Sequence, residues 1–456
     1  MVKIISDRVK ELNNKHPQDG DYILYWMQAA QRVHYNHALE FAIDQANEKN
    51  LPLIVFFGLT PNFPEGNARH YYFLLEGLVQ VEADLEDRGI EFVLWQGEPF
   101  KGVEKLGKKA RLVITDGGYL SVEKTWRKKA AKSLNCPLIE VETNTVLPVD
   151  LVSDKEEYAA FTFRKKMKPH LSNYLVEVRE NDLKKKSLNN FDWPSLGLSD
   201  KDKIIEELKI SAKPARVEGI KGGNKEALQC LGNFLDNSLD IYPEKGGDPA
   251  FDCQSGLSAY LHFGHISPLY IALKTRERES PGEEAFLEQL LVRRELSFNF
   301  VNFNPYYMGP LEKMLPEWAW NTLRTHEKDK RDYIYSPREL EQASTHDDYW
   351  NAAQQEMVLG GKMHGYMRMY WGKKILEWSK TPEEAFSTCL YLNNKYSLDG
   401  RDPNSFAGVS WCFGKHDRAW TERDIFGKVR YMNAKGLERK FDMGKYLERV
   451  GELGCL

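Results

Sequence analysis

The hydrophobic rhythm of the chain changes near its middle. From residue 22 onward, short continuous apolar runs alternate with amphipathic stretches: Tyr22 to Met27, Leu51 to Leu59, Ile90 to Gln96, Arg111 to Asp116 and Cys136 to Val141 read as strands, with helices between them. Continuous rather than alternating runs mark strands buried on both faces, and the intervening stretches are long enough for right-handed crossovers. The pattern predicts an N-terminal α/β domain over residues 1–149, a doubly wound parallel sheet of Rossmann-like type. Such sheets take ligands outside the carboxyl ends of their strands, here near Trp26, Met27, Gly58, Leu59 and Gly117. No GxGxxG turn follows the first strand, where Gln28-Ala29-Ala30-Gln31-Arg32 stands, and this argues against a nucleotide pyrophosphate at that point.

Residues 150–223 read as a connection rich in charge. Phe161, Phe163, Met167 and Leu171 suggest one helix between Tyr158 and Leu175, ended or kinked near Pro169, and Asn189 to Leu198 reads as ordered turns. Over residues 224–456 apolar positions recur at helical spacing and no run alternates as a strand would, so this half is predicted to be an all-α domain.

Within the helical half, Lys362 to Trp378 stands out. Trp371 and Trp378 lie two turns apart on one helix face, roughly 10 Å along the axis, and Arg368 sits one turn before Trp371. Gly360, Gly361, Gly365 and Gly372 punctuate the segment although each costs a helix about 1 kcal/mol against Ala, which points to close approach by another backbone or a flat ligand. Taken alone, an aromatic stripe of this kind is more often core. Ser255-Gly256-Leu257-Ser258 offers two hydroxyls and a glycine at a helix start, equipment for holding phosphate or for ordinary capping. Glu295, Asn299 and Asn302 form a polar line along the mainly apolar stretch Phe286 to Asn302. A buried carboxyl is costly unless paired, neutral or at a ligand cavity, so Glu295 is a functional candidate.

Leu392 to Asn404 is dense in amides and carboxylates around a Gly-Arg turn and suits a polar ligand. Trp411 and Trp420 follow among Lys415, Arg418, Arg423, Lys428, Arg430, Lys435, Arg439 and Lys440, partly offset by Asp417, Glu422, Asp424 and Glu438. This is either a nucleic-acid face or a mixed solvated surface. The net charge of -4 gives no global pull toward nucleic acid, so a local basic face matters. His262 and His265 have no neighbouring carboxylate or thiol in sequence, and no metal site is expected.

Composition narrows the class. A chain of 456 residues exceeds one core, and 42% hydrophobic with 29% charged residues describes an ordinary globular protein. The 11 Trp, 22 Tyr and 22 Phe are compatible with a planar ligand. Cys136, Cys230, Cys253, Cys389, Cys412 and Cys455 form no CxxC pair and no zinc spacing, as expected of free thiols in a reducing compartment. The opening Met-Val-Lys-Ile-Ile-Ser-Asp-Arg lacks the apolar core of a signal peptide, and the longest apolar run is too short to cross a bilayer. A protein that is neither membrane-bound nor secreted is expected.

Seven segments in order carry a family likeness: Tyr25-Trp26-Met27; Glu157-Tyr158-Ala159-Ala160 with Thr162-Phe163-Arg164; Tyr260-Leu261-His262-Phe263-Gly264; Thr345-His346-Asp347 with Trp350-Asn351; Gly361 to Trp378; Leu398 to Asn404; and His416-Asp417-Arg418-Ala419-Trp420. Together they resemble the class II cyclobutane pyrimidine dimer photolyases over nearly the whole chain. Single segments are weak signals, but the ordered set is specific.

The resemblance implies a light-driven DNA repair enzyme with FAD in the helical domain. Ser255, Gly256, Leu257 and Ser258 would hold the pyrophosphate with Tyr242 nearby, Arg368 and Asp399 would pair beside the flavin, Asn393 would face its N5, and Arg401 would also bind the cofactor. Trp371, Trp350 and Trp378 match electron-transfer tryptophans that lead to the surface. Glu295 matches a carboxyl that hydrogen-bonds the dimer, with Met369 and Trp411 lining the pocket. Arg418 and Trp420 match the loop that fills the gap left by the flipped dimer, a loop one residue shorter here across Gly414-Lys415-His416. The α/β domain would seat a second, antenna chromophore of deazaflavin or folate type. UV-damaged DNA is the implied partner and a monomer the implied state, in the cytoplasm at the nucleoid of a prokaryote or in the nucleus of a eukaryote. A cryptochrome-type photoreceptor is the alternative, since one fold can serve both. Glu295, the pocket residues and the lack of a long extension beyond Leu456 argue against it, and the absence of a histidine at the matching pocket positions argues against repair of (6-4) adducts.

Overall fold

The computed structural model describes residues 6–454 except 189, 190 and 192, so the opening five residues, Asn189 and Asn190 of the turn stretch, and Cys455 lie outside the described residues. Six strands form one sheet: β1 (Val9–Glu11), β2 (Tyr22–Met27), β3 (Leu53–Leu59), β4 (Glu91–Gln96), β5 (Ala110–Asp116) and β6 (Leu138–Val141), in the order β1-β6-β5-β2-β3-β4. The five expected strands are present and pair in parallel. The short edge strand β1, antiparallel to β6, was not foreseen. Every residue of β2 is buried, as its unbroken apolar run requires of a central strand covered on both faces.

The chain winds outward from β2 in both directions, so strand order reverses between β2 and β5. The crevice beyond the carboxyl ends of these two strands is the topological switch point of the sheet. On one face Leu24, Trp26 and Phe56 pack with Val103 and Trp126 of the helices Pro99–Gly107 and Ser121–Ser133. The other face shares one continuous core with Leu257, Tyr260 and Leu290. The first helices of the second half therefore pack on the sheet domain, while a separate core holds Trp350, Trp371 and Trp378.

Within the connection, the stretch from Tyr158 to Leu175 folds as two helices, Ala160–Met167 and Leu171–Tyr174, divided around Pro169 as the sequence suggests. The helix Gly365–Trp378 crosses its neighbours closely: a Cβ on Gly372 would lie 2.6 Å from Cys412 Sγ. Gly361, at φ +66, is the left-handed cap that ends the preceding helix Asp348–Gly360. A Cβ on Gly365 would meet nothing within 4 Å among the described residues, so close approach explains only part of the glycine pattern. Among the described residues no helix is long and apolar enough to cross a membrane.

A π-helical turn, Glu288–Arg293, precedes the helix Arg294–Phe303 that carries the predicted polar line. The line exists, but it faces the seam between the two halves of the protein. Glu295 accepts from the backbone N–H groups of Val146 at 2.5 Å and Leu147 at 3.3 Å. Asn299 accepts from Glu157 N at 2.7 Å and donates to Lys155 O at 2.9 Å, and Asn302 donates to Asp150 at 3.1 Å. All three polar side chains thus satisfy backbone or carboxylate groups of the segment that leads out of the sheet.

Candidate active site

The site is built around the helix Gly365–Trp378. Its N-cap, His364, accepts the Tyr366 N–H on Nδ1 and meets the Gln254 side chain through Nε2 at 3.3 Å, which ties the Ser255–Ser258 turn to the start of this helix. In that turn Gly256 takes φ +68, and Ser255 Oγ accepts from Leu257 N at 3.4 Å. Ser258 opens the short helix Ser258–His262. Tyr242 stands at the start of Tyr242–Lys245 with its ring edge-on to Phe234 and Phe286, and burial raises its phenol pKa.

One turn into the helix, Arg368 Nη2 donates to Asp399 Oδ1 at 3.1 Å and Oδ2 at 3.2 Å. Asp399 is held there because Leu398 N donates to Gly361 O at 2.7 Å, pinning the turn that follows the helix Pro382–Tyr396. Asn393, fully buried on that helix, donates through Nδ2 to Asn394 Oδ1 at 3.1 Å and Ser405 Oγ at 2.5 Å. This network fixes the amide so that Oδ1 faces away as an acceptor. Among the described residues Asn393 Oδ1, Arg368 Nε and Trp411 Nε1 are buried without a protein partner, an arrangement that a ligand with both donors and acceptors would complete.

Behind this cluster the three tryptophans come together. Trp371 and Trp350 stack with ring centroids 6.4 Å apart and planes 6° from parallel, and Trp378 meets Trp350 at 5.7 Å and 66°. Trp350 donates to the Trp371 carbonyl at 3.0 Å, and Trp371 donates to Gln354 Oε1 at 2.9 Å. The expected path to the surface needs correction at its end. Trp378 is only 2% exposed, so the tryptophans stop short of solvent.

Two further assignments change. Glu295 is withdrawn from contact with a substrate in the Trp411 pocket: its carboxyl serves the seam, and a helix turns by 200° in two residues, so it lies across from Arg293, whose guanidinium stands 5.5 Å over the Trp411 ring. Burial raises its pKa to about 7. Arg401, expected at the FAD, lines a different cavity. At φ +67 its backbone turns the side chain away from the Asp399 pair and over the Phe63 ring at 5.6 Å.

Arg401 and Phe63 help to line a cavity at the switch point, whose wall includes Trp26, Met27, Gly58, Leu59 and Gly117, the five positions expected from the strand ends. Arg401 is buried with Nε and Nη2 unpartnered among the described residues, and the half-buried Glu123 carboxyl in the same wall is pushed up to about 7 by desolvation. This apolar cavity with a few polar groups suits a flat aromatic ligand.

On the surface, Trp420 lies between Arg418 at 4.9 Å and Arg430 at 5.1 Å, and its N–H donates to Asp417 at 3.3 Å. The loop before it is anchored by His416 Nδ1 to Tyr158 O at 3.0 Å. Met369 sits half-buried beside this region, where Cys412 Sγ meets its carbonyl at 3.9 Å.

Comparison with known proteins decides the family. A DNA photolyase family model matches residues 23–184. The chain is 51% identical over 449 residues to the deoxyribodipyrimidine photo-lyase of Methanothermobacter thermautotrophicus, covering 98% of both chains. This chain is a deoxyribodipyrimidine photo-lyase family member. The photo-lyase of Arabidopsis thaliana is 40% identical across 94% of this chain and 89% of its own length, and that of Potorous tridactylus 36% identical across 95% and 82%. A class III photolyase of Agrobacterium tumefaciens superposes with a TM-score of 0.73 at 20% identity over 95% of this chain and 87% of that one. An archaeal photolyase of Sulfolobus tokodaii, described with two FAD molecules, superposes with a TM-score of 0.72 at 17% identity over 94% and 89%.

Proposed function

We propose that this photo-lyase is of the class II type and repairs cyclobutane pyrimidine dimers in UV-damaged DNA under light. The observation that carries the reading is the ring stack Trp371-Trp350-Trp378 leading away from the buried cluster of Arg368, Asp399 and Asn393. That cluster fits FAD by its unpartnered polar atoms. When bound there in reduced form, FAD supplies, on absorbing light, the electron that splits the dimer.

The chain's own residues bind, orient and exclude water. The Ser255-Gly256-Leu257-Ser258 turn offers hydroxyls and free N–H groups to the pyrophosphate, with Tyr242 at its flank. Arg368, balanced by Asp399, brings a positive charge to the flavin edge without leaving an unpaired ion in the core. With its Nδ2 committed to Asn394 and Ser405, Asn393 would offer Oδ1 as an acceptor to a protonated flavin N5. Met369 and Trp411 form the apolar wall for the dimer. Arg418 and Trp420 enter the space that the flipped dimer leaves, a step made cheaper because a dimer stacks and pairs poorly. Trp371, Trp350 and Trp378 would carry electrons toward an oxidised cofactor through their ring contacts.

The sheet-side cavity is the seat of an antenna chromophore of deazaflavin or folate type, with Arg401 and Glu123 in its wall. The protein acts as a monomer, in the cytoplasm at the nucleoid or in a nucleus. The test is the visible spectrum of the purified protein followed by repair of a synthetic duplex with one defined dimer under blue light. A yellow or blue flavoprotein that converts the dimer only in light supports the reading. Bound flavin without repair would assign the protein to photoreception instead.

A further inference from the structure

The tryptophan stack ends on a buried ring, yet an electron hole that cannot reach solvent has only one fate, which is return to where it came from. The neighbours of Trp378 on its outer side are therefore informative. Tyr335 meets it at 5.3 Å and 75°, and its backbone N–H donates to the Trp378 carbonyl at 3.2 Å. His346 meets the same indole at 5.3 Å and 61°. The Tyr335 hydroxyl and His346 Nδ1 are 2.7 Å apart, and the hydroxyl also accepts the His346 backbone N–H at 3.0 Å. Tyr333, 48% exposed, stacks on the imidazole at 3.7 Å and 18°. The two ring neighbours of Trp378 on the side away from Trp350 are thus members of one hydrogen-bonded pair at the rim of the protein.

We propose that Tyr335 is the terminal electron donor of this relay and that His346 is the base that makes its oxidation possible. The inference rests on the reading of the three tryptophans as an electron path.

A phenol that loses an electron becomes a very strong acid, so oxidation of tyrosine proceeds downhill from an indole hole only where the proton has somewhere to go. At 2.7 Å a neutral imidazole nitrogen is such a place. The step balances as follows: Trp378, oxidised by one electron toward the photoexcited cofactor, regains that electron from Tyr335, and the phenol proton moves to His346 Nδ1. A neutral tyrosyl radical and an imidazolium result. The Tyr333 ring lies against that imidazolium and favours it as a cation–π partner. A thiol reductant in solution then returns a hydrogen atom, as an electron and a proton, to Tyr335, and His346 gives up its proton to water.

The charges nearby favour outward movement. Lys374 Nζ stands 5.6 Å over the Trp378 ring, so a hole on that indole is repelled, though Glu377 at 2.7 Å offsets part of the ammonium charge. A neutral radical at Tyr335 carries no such penalty and feels little attraction back along the stack. The pair therefore acts as a charge trap. Tyr370 also has an acceptor, Asp347, but among the described residues no ring contact links it to the tryptophans, and it serves as a control.

The test is time-resolved optical and electron paramagnetic resonance spectroscopy of the illuminated, oxidised holoenzyme grown with ring-deuterated tyrosine. A tyrosyl signal narrowed by the label, absent in Tyr335→Phe and present in Tyr370→Phe, is expected. In Tyr335→Phe the indole hole should return several-fold faster. His346→Gln, which can still bond the phenol but is a poor base, should slow tyrosyl formation, as should D2O in the wild type. A tyrosyl signal unchanged in Tyr335→Phe, or a hole that stays on Trp378 in the wild type while Trp350→Phe abolishes photoreduction, overturns the inference alone. Photoreduction that survives Trp350→Phe overturns the underlying electron path as well.

Discussion

Glu295 gives one carboxylate oxygen to the N–H of Val146 and the other to that of Leu147, joining a helix of the second half to the chain leaving the sheet. Its proton is held more tightly in the folded protein than in the unfolded chain, because burial raises its pKa from 4.5 to about 7. The resulting stabilisation is complete below the ordinary value and is lost as pH rises through about 7, with an upper limit of about 3 kcal/mol. Glu295→Gln cannot titrate and turns an amide donor toward a backbone N–H, so it should melt lower by roughly 1 to 3 kcal/mol. The gap to wild type should widen as pH falls from about 7 toward 4.5, in paired thermal melts, with repair per bound flavin unchanged. A variant that repairs poorly at full flavin content would return Glu295 to the substrate pocket.

Trp371→Phe should abolish light-driven reduction of the oxidised flavin yet leave repair nearly intact after chemical pre-reduction, since the two processes use different electron paths. Stopped illumination with spectral readout measures the first and dimer conversion the second. The substitution also removes the donor to Gln354, which is fully buried, so a loss of roughly 1 to 3 kcal/mol in stability accompanies it. Collapse of repair in the pre-reduced variant would make Trp371 a structural residue.

Arg368→Ala leaves the buried Asp399 carboxylate without its partner, a change worth roughly 3 to 5 kcal/mol. Flavin content per chain, read from absorbance, should fall at least tenfold. The double variant Arg368→Met with Asp399→Asn should melt higher than Arg368→Ala, because no lone charge stays in the core. Full flavin content in Arg368→Ala would move the cofactor away from this pair.

Arg418→Ala should weaken binding to dimer-containing duplex more than to intact duplex, and lower the salt slope of binding by about one, the share of one phosphate contact. Arg418 also stacks on Trp420 at 4.9 Å, so Trp420→Ala should reproduce the loss of lesion preference without the change in slope. Fluorescence anisotropy over a salt series separates the two. Equal losses on both duplexes would reduce Arg418 to a phosphate contact.

The parts of the molecule that were legible in the sequence are those where one local pattern has one physical solution. The apolar runs of β2 and β3 had to be strands buried in the sheet, and the ligand positions at the carboxyl ends of the strands followed from topology. The Val9–Glu11 strand carries a single apolar residue and depends on its pairing with β6, which no local pattern encodes. The line Glu295, Asn299, Asn302 was correctly seen as one face of a helix. What it faces is a tertiary fact, and it proved to be the backbone of residues 146–157 rather than a substrate. Tyr335 and His346 offer no pattern as chemistry because they lie in irregular segments on either side of the helix Pro337–Glu341 and meet Trp378 only in space. Arg401 is expected beside the FAD, and the left-handed backbone that carries its side chain over Phe63 instead is invisible in residue identity.

Asp399 and Arg401 stand on either side of Gly400, yet one reaches Arg368 in the helical half and the other the cavity over the sheet. Two light-absorbing molecules in those places would be referenced to a single tight turn, fixing the angle between their transition dipoles as well as their separation. Resonance transfer of excitation depends on both. A residue inserted between Asp399 and Arg401 would rotate one chromophore against the other, and the colour of light the protein can use would narrow even while both remained bound.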